Sequence, residues 1–227
     1  MENIKKNIFQ NNVDLLHGPI FQSLVIFALP LFLSNVFQQL YNTVDTIIVG
    51  QAVGTSALAA VGSTGNLTNL IVNFYVGLST GASVVIAQYY GAQNNKKIHQ
   101  AVHTSYILAI VSGILMMLFG LFFSYQCLDA IGTPHDILND ATLYMQLYFL
   151  CMIPGAIYNI GAGILRAVGD SKRPLYYLIV CSIVNVVFDF IFVVIFHQGI
   201  AGAAIATVIA QSVCAILVTI QLMRTNE

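Results

Sequence analysis

Long apolar runs with almost no charge in them constrain this chain more than any other feature. A bilayer-spanning helix needs about 20 mainly apolar residues. The sequence supplies six such segments, at approximately 21–49, 57–88, 101–126, 138–160, 174–196 and 201–222. Only 7% of the 227 residues are charged, where a soluble globular protein carries about 25%. With mean hydropathy at +0.82, too few polar side chains remain to cover a water-facing surface. Transmembrane strands would alternate apolar and polar residues, and stretches such as Tyr106 to Phe123 do not. The expectation is an all-α membrane protein: a six-transmembrane-helix bundle over 19–223, a polar segment 1–18 before it and a short end 224–227 after it. The first two spans exceed what a bilayer needs, which predicts tilt, a kink or extension beyond it. Pro30 removes a backbone hydrogen bond inside the first, so a bend is expected there. The polar opening and the length of the first apolar run argue against a cleavable signal.

The few charges are sorted. Lys5 and Lys6 precede span 1, and Lys96 and Lys97 lie between spans 2 and 3. Arg166, Lys172 and Arg173 fall between the expected spans 4 and 5, and Arg224 follows span 6. All eight cations are therefore on one side, while Asp129, Asp136 and Asp140 lie opposite. The positive-inside rule then puts both termini in the cytoplasm of a multi-pass cell-membrane protein, expected to be bacterial. A net charge of −1 without a Lys/Arg block excludes a nucleic-acid binder, and the apolar excess excludes a disordered chain. Cys127, Cys151, Cys181 and Cys214 are spread through the sequence without a C-x-x-C, which argues against a disulfide framework.

Polar residues at membrane depth need partners or water. Asn35, Gln38, Asn42 and Asp45 follow steps of three, four and three, which keeps them on one stripe of span 1. Asn66, Asn69, Asn73 and Thr80 form a second stripe on span 2. Span 5 adds Ser182, Asn185 and Asp189, and span 6 adds Thr207 and Gln211 one turn apart. These faces are expected to converge on a bundle interior or a wet cavity. Asp45 and Asp189 weigh most, because no Lys or Arg is expected within a span to neutralise them. A carboxylate in low dielectric takes a proton or recruits a cation, which is the chemistry of ion coupling. The plainer alternative is a protonated Asp that hydrogen-bonds a neighbouring Asn and glues helices together. A pair of such residues, each on an amide stripe, favours function.

Other features are weaker. Gly77 with Gly81, and the series Gly202, Ala206, Ala210 and Cys214, suit close helix packing. His99 and His103 have metal-pair spacing but no acidic or thiol ligand beside them, so no metal site is expected. Asn66-Leu67-Thr68 has the glycosylation pattern but lies within a span. Nothing resembles a phosphate-binding loop, a nucleophile–base pair or a zinc protease motif, so an enzyme is not expected.

Several segments taken in order resemble one family. They are Phe27-Ala28-Leu29-Pro30-Leu31, Tyr41-Asn42-Thr43-Val44-Asp45-Thr46-Ile47-Ile48-Val49-Gly50 and Ala59-Ala60-Val61-Gly62, then Leu165 through Pro174, Asn185-Val186-Val187-Phe188-Asp189 and Gly199 through Thr207. In this order and spacing the chain resembles the multidrug and toxic compound extrusion (MATE) family. The resemblance implies a cation-coupled antiporter that exports organic cations in exchange for H⁺ or Na⁺, with no cofactor beyond the transported ion. It assigns ion coupling to Asp45, Asn185 and Asp189, helix bending to Pro30, and cavity-lining places to Gln38 and Thr207, and the polar stripes add Asn42 and Asn73 to the expected substrate cavity. Family members have twelve spans in two lobes, so the chain resembles the amino-terminal lobe. A second six-helix lobe is the expected partner, either a missing carboxyl-terminal half or a second copy, alongside the lipid bilayer and small organic cations. A lipid-linked precursor flippase of related fold would call for cationic residues in the cavity. A non-transporting membrane interaction subunit would use the polar stripes only for packing.

Overall fold

A computed structural model describes residues 20–225. The segment 1–18, with Lys5 and Lys6, and the last two residues lie outside the described residues. Seven α-helices follow: α1 (Ile20–Ala52), α2 (Thr55–Gly91), α3 (Asn95–Ala130), α4 (His135–Phe149), α5 (Met152–Ala167), α6 (Lys172–Asp189) and α7 (Gly199–Thr225). A π-helical segment, Phe190–Ile195, continues α6 without a gap. Helices α1, α2, α3 and α7, and α6 with its π segment, are each long and apolar enough to cross a membrane. Helices α4 and α5, bent by 50° at a short break, pass the same test together, which gives six crossings. Connections of two to four residues force successive crossings to run antiparallel. Lys96, Lys97, Arg166, Lys172, Arg173 and Arg224 consequently gather at one end of the bundle, called the basic end below.

The outer surface is apolar, with Phe21, Leu70, Leu115 and Phe122 each more than half exposed. The core is built around α5, which packs against α2, α3 and α7. Glycines permit this. A Cβ at Gly161 would meet Val218 at 2.9 Å, and one at Gly163 would meet Ser83 Oγ at 2.7 Å and collide with Ser79 Oγ. The polar groups trapped in this seam satisfy one another. Ser79 Oγ donates to Asn159 O at 2.6 Å, and Arg166 Nη2 donates to Ser79 Oγ at 3.3 Å.

Two expectations change here. The fourth span is not one helix over 138–160. It breaks at Leu150–Cys151 and continues to Ala167. Pro154 explains the break, since its ring leaves no room for the carbonyl of residue 150 and it has no N–H to offer. Helix α3 receives the broken region on two small residues: Phe149 lies over Gly120, and a Cβ at Gly113 would meet Ile153 Cα at 2.8 Å. Because α5 runs on, Arg166 sits in its last turn, against the side of α2, and not in a loop. By contrast α1 is one unbroken helix through Pro30, where Ser34 Oγ donates to the Pro30 carbonyl at 2.8 Å.

Cys181 and Cys214 pair as a disulfide between α6 and α7, with Cα atoms 5.9 Å apart, a pairing that their sequence spacing did not suggest. In the α5–α6 connection Asp170 is 1% exposed. Its Oδ1 accepts the Arg173 N–H at 3.1 Å and caps α6. Its Oδ2 lies 3.1 Å from Arg173 Nη1, a charge contact without hydrogen-bond alignment.

Candidate functional site

Helices α1, α6 and α7 bring the site together. Asp45 lies on the buried stripe of α1 at 8% exposure, and Asn185 and Asp189, one turn apart on α6, are both fully buried. The carboxyl groups of Asp45 and Asp189 are within hydrogen-bonding reach of each other. Across the α6–α7 hairpin, Asn185 Nδ2 makes a long 3.5 Å hydrogen bond to Thr207 Oγ1, which in turn donates to Ala203 O at 3.1 Å. The small-residue series of α7 makes this approach possible. Gly202, Ala206, Ala210 and Cys214 are all buried, and a Cβ at Gly202 would meet Phe192 Cβ at 3.0 Å. Asp189 is also the last residue before the π segment, so the widened turn starts directly after the carboxylate.

Every buried polar atom left unpartnered in this region is an acceptor. They are Asp45 Oδ1, Asn185 Oδ1, both Asp189 carboxylate oxygens and Gln211 Oε1. Among the described residues, no group of three or more His, Cys, Asp or Glu side chains could hold a metal ion. His99 and His103 are both exposed. What these oxygens can do chemically is accept: a proton, a small hard cation, or the N–H groups of a ligand.

The sequence-predicted residues separate into two groups. Asp45, Asn185, Asp189 and Thr207 meet in the interior, with Gln38 half-buried beside them on the α1 stripe. Asn42 and Asn73 do not join them. Asn42 is exposed, and its side-chain amide donates to Gln39 Oε1 at 3.4 Å. Asn73 is exposed on α2 together with Asn66, Asn69 and Thr80. Gly77 and Gly81 lie on the exposed side too, and a Cβ at either would touch nothing within 4 Å. The stripe on α2 therefore faces out of the bundle, because Ala57, Ala60, Thr64, Ile71, Tyr75, Ser79 and Ile86 take the inward side. The packing expected of Gly77 and Gly81 is likewise absent within this bundle.

Two residues of the site's surroundings, Tyr41 and Tyr144, were not singled out from sequence, while Gln211 belongs to the polar pair read on span 6. Tyr41 lies near Thr207 and Asp45. Tyr144 of α4, 6% exposed, stands near the same carboxylates. Gln211 adds its buried oxygen. Tyr41 lies four residues before Asp45 on the polar stripe, which was the available signal. A buried Tyr at helical spacing otherwise reads as core.

Comparison with known proteins agrees with this architecture. Residues 30–191 match the MatE family model. A Bacillus subtilis protein, YoeA, named a probable multidrug resistance protein, is 32% identical over 195 residues, or 84% of this chain and 42% of that protein. A solved MOP-superfamily transporter from Pyrococcus furiosus superposes with TM-score 0.88 at 27% identity, over 96% of this chain and 48% of that one. A multidrug resistance MATE transporter in an outward-facing conformation superposes with TM-score 0.87 at 28% identity, over 94% and 47%. The chain thus spans about half the length of the relatives it matches. On its six crossings and these matches, the chain belongs to the MatE family of multidrug and toxic compound extrusion transporters.

Proposed function

We propose that the chain forms one lobe of a cation-coupled antiporter that exports organic cations in exchange for H⁺ or Na⁺. The observation that carries this reading is the Asp45–Asp189 pair: two buried carboxyls in mutual reach, surrounded by unpartnered acceptor oxygens. Two carboxylates this close in low dielectric cannot both stay ionised without a counter-charge. A coupling cation or a protonated drug supplies it, and the two compete for one place. Asn185 and Thr207 hold the pair in position. Relatives named for multidrug resistance support the choice of cargo.

Pro30 is the bending point in this reading, since its missing N–H already weakens the α1 ladder. The exposed amides of α2, Asn73 among them, together with Asn42 on α1, face a second six-helix lobe across the substrate path. In this reading the basic end, and with it both termini, faces the cytoplasm of a bacterial cell, an orientation that the clustering of cations supports. Arg166 donates to Ser79 in the α2–α5 seam, and no Lys or Arg is among the site residues described above, which counts against a phosphate-bearing flippase cargo. The test is the full-length protein in proteoliposomes with a fluorescent organic cation. An imposed pH or Na⁺ gradient is expected to drive the dye against its own gradient. Dye movement indifferent to both gradients would refute coupling, and movement no greater than in protein-free liposomes would leave the interaction-subunit reading.

A further inference from the structure

We infer that Gln211 is a specificity-determining residue of this site, and that the site selects cations bearing N–H donors over quaternary ammonium ions. The inference rests on the antiporter reading for its cargo and on the geometry for its chemistry. Gln211 is placed by register. Tyr41 of α1 lies near Thr207 of α7, and Asn185 of α6 meets the same threonine. From that layer, one helical turn toward the basic end leads to Gln38 on α1, Ser182 on α6 and Gln211 on α7, a step of about 4.5–6 Å on each helix. The steps of three or four residues keep all three side chains on the faces that meet in the upper layer.

The lower layer is neutral. Ser182 spends its hydroxyl hydrogen on its own helix, donating to Leu178 O at 2.8 Å. Gln211 Oε1 remains buried with nothing donating to it. The site therefore presents carboxylate oxygens of Asp45 and Asp189 and amide oxygens of Asn185 and Gln211 that are buried and have no hydrogen-bond partner among the described residues. A proton shared by Asp45 and Asp189 can satisfy one carboxyl contact but cannot reach the Gln211 amide. A primary ammonium or guanidinium group offers three or more N–H donors to such a shell. A quaternary ammonium carries the same charge with no N–H, so the Coulombic attraction survives and the amide acceptors stay unpaired. Leaving a buried acceptor unpaired is what makes hydrogen-bonding sites discriminate strongly.

The experiment uses two matched probes, 1-naphthylmethylammonium and its N,N,N-trimethyl counterpart, titrated calorimetrically into the full-length transporter in lipid nanodiscs at neutral pH. The parent is expected to bind the primary ammonium at least about tenfold more tightly, one unpaired acceptor's worth. Gln211→Leu, close in volume and without an acceptor, is expected to weaken the ammonium and leave the trimethyl probe unchanged, so that the ratio falls below about threefold. Unchanged trimethyl binding also certifies that the variant is folded. A parent without preference, a parent that binds neither probe, or a variant that keeps the full preference overturns the inference. Binding with the expected preference but no gradient-driven transport of either probe refutes the antiporter reading alone. Gradient-driven transport of both without preference refutes this inference alone.

Discussion

Gly163→Ala tests the packing that holds the site's scaffold together. Helix α5 reaches α2 at this residue more closely than any side chain allows: a Cβ would collide with Ser79 Oγ and lie 2.7 Å from Ser83 Oγ and 3.0 Å from the Ser79 carbonyl. Ser79 cannot move aside freely, because its hydroxyl is held by Asn159 O at 2.6 Å and by Arg166 at 3.3 Å. Relief therefore means either losing those two hydrogen bonds or separating the helices. In a membrane protein each such bond is worth about 0.6 kcal/mol, and overpacking costs about 1–3 kcal/mol more. The expected loss is about 2–4 kcal/mol, set against a gain of up to about 1 kcal/mol from replacing Gly within a helix. Detergent denaturation of the full-length protein in mixed micelles reads the difference. Adding Ser79→Ala to Gly163→Ala removes the nearest atom and should recover part of the loss, giving a favourable coupling in the double-mutant cycle. A Gly163→Ala protein within 0.5 kcal/mol of the parent, on the same ~0.5 kcal/mol scale as neutral surface changes, would refute the close α2–α5 approach.

Three other substitutions probe separate parts of the structure. Asp170→Ala removes the α6 cap and the contact with Arg173, and should cost about 1–2 kcal/mol in the same denaturation assay. Thr207→Val keeps the shape but leaves the buried Asn185 amide without its partner. It should cost about 1–3 kcal/mol and lower gradient-driven transport beyond what the loss of folded protein explains. Pro30→Ala restores a hydrogen-bond donor inside α1, so it should raise the denaturation midpoint while slowing transport. Faster transport with lower stability would contradict the hinge assigned to Pro30.

Apolar length and charge sorting made the crossings legible, because a bilayer imposes both directly on sequence. The acidic pair was legible for the same reason: Asp45 and Asp189 stand out against spans with almost no charge. What could not be read was which way each stripe faces. The ladder Asn66, Asn69, Asn73 is as regular as the one ending in Asp45, yet it points out of the bundle. Periodicity defines a face, and only packing decides what that face meets. The broken fourth crossing was hidden likewise, since Pro154 breaks the helix but the glycine seats at Gly113 and Gly120 lie on a different one. Arg166 looked like a loop residue until α5 proved to run through it.

The most direct test of the acidic pair is ion release on substrate binding. Adding an organic cation to the purified full-length protein, in weakly buffered solution with a pH indicator and tracer ²²Na⁺, should displace H⁺ or Na⁺ from the parent. Asp45→Asn combined with Asp189→Asn should displace neither. Equal cation release by the parent and the folded double variant would contradict competition at the Asp45–Asp189 pair.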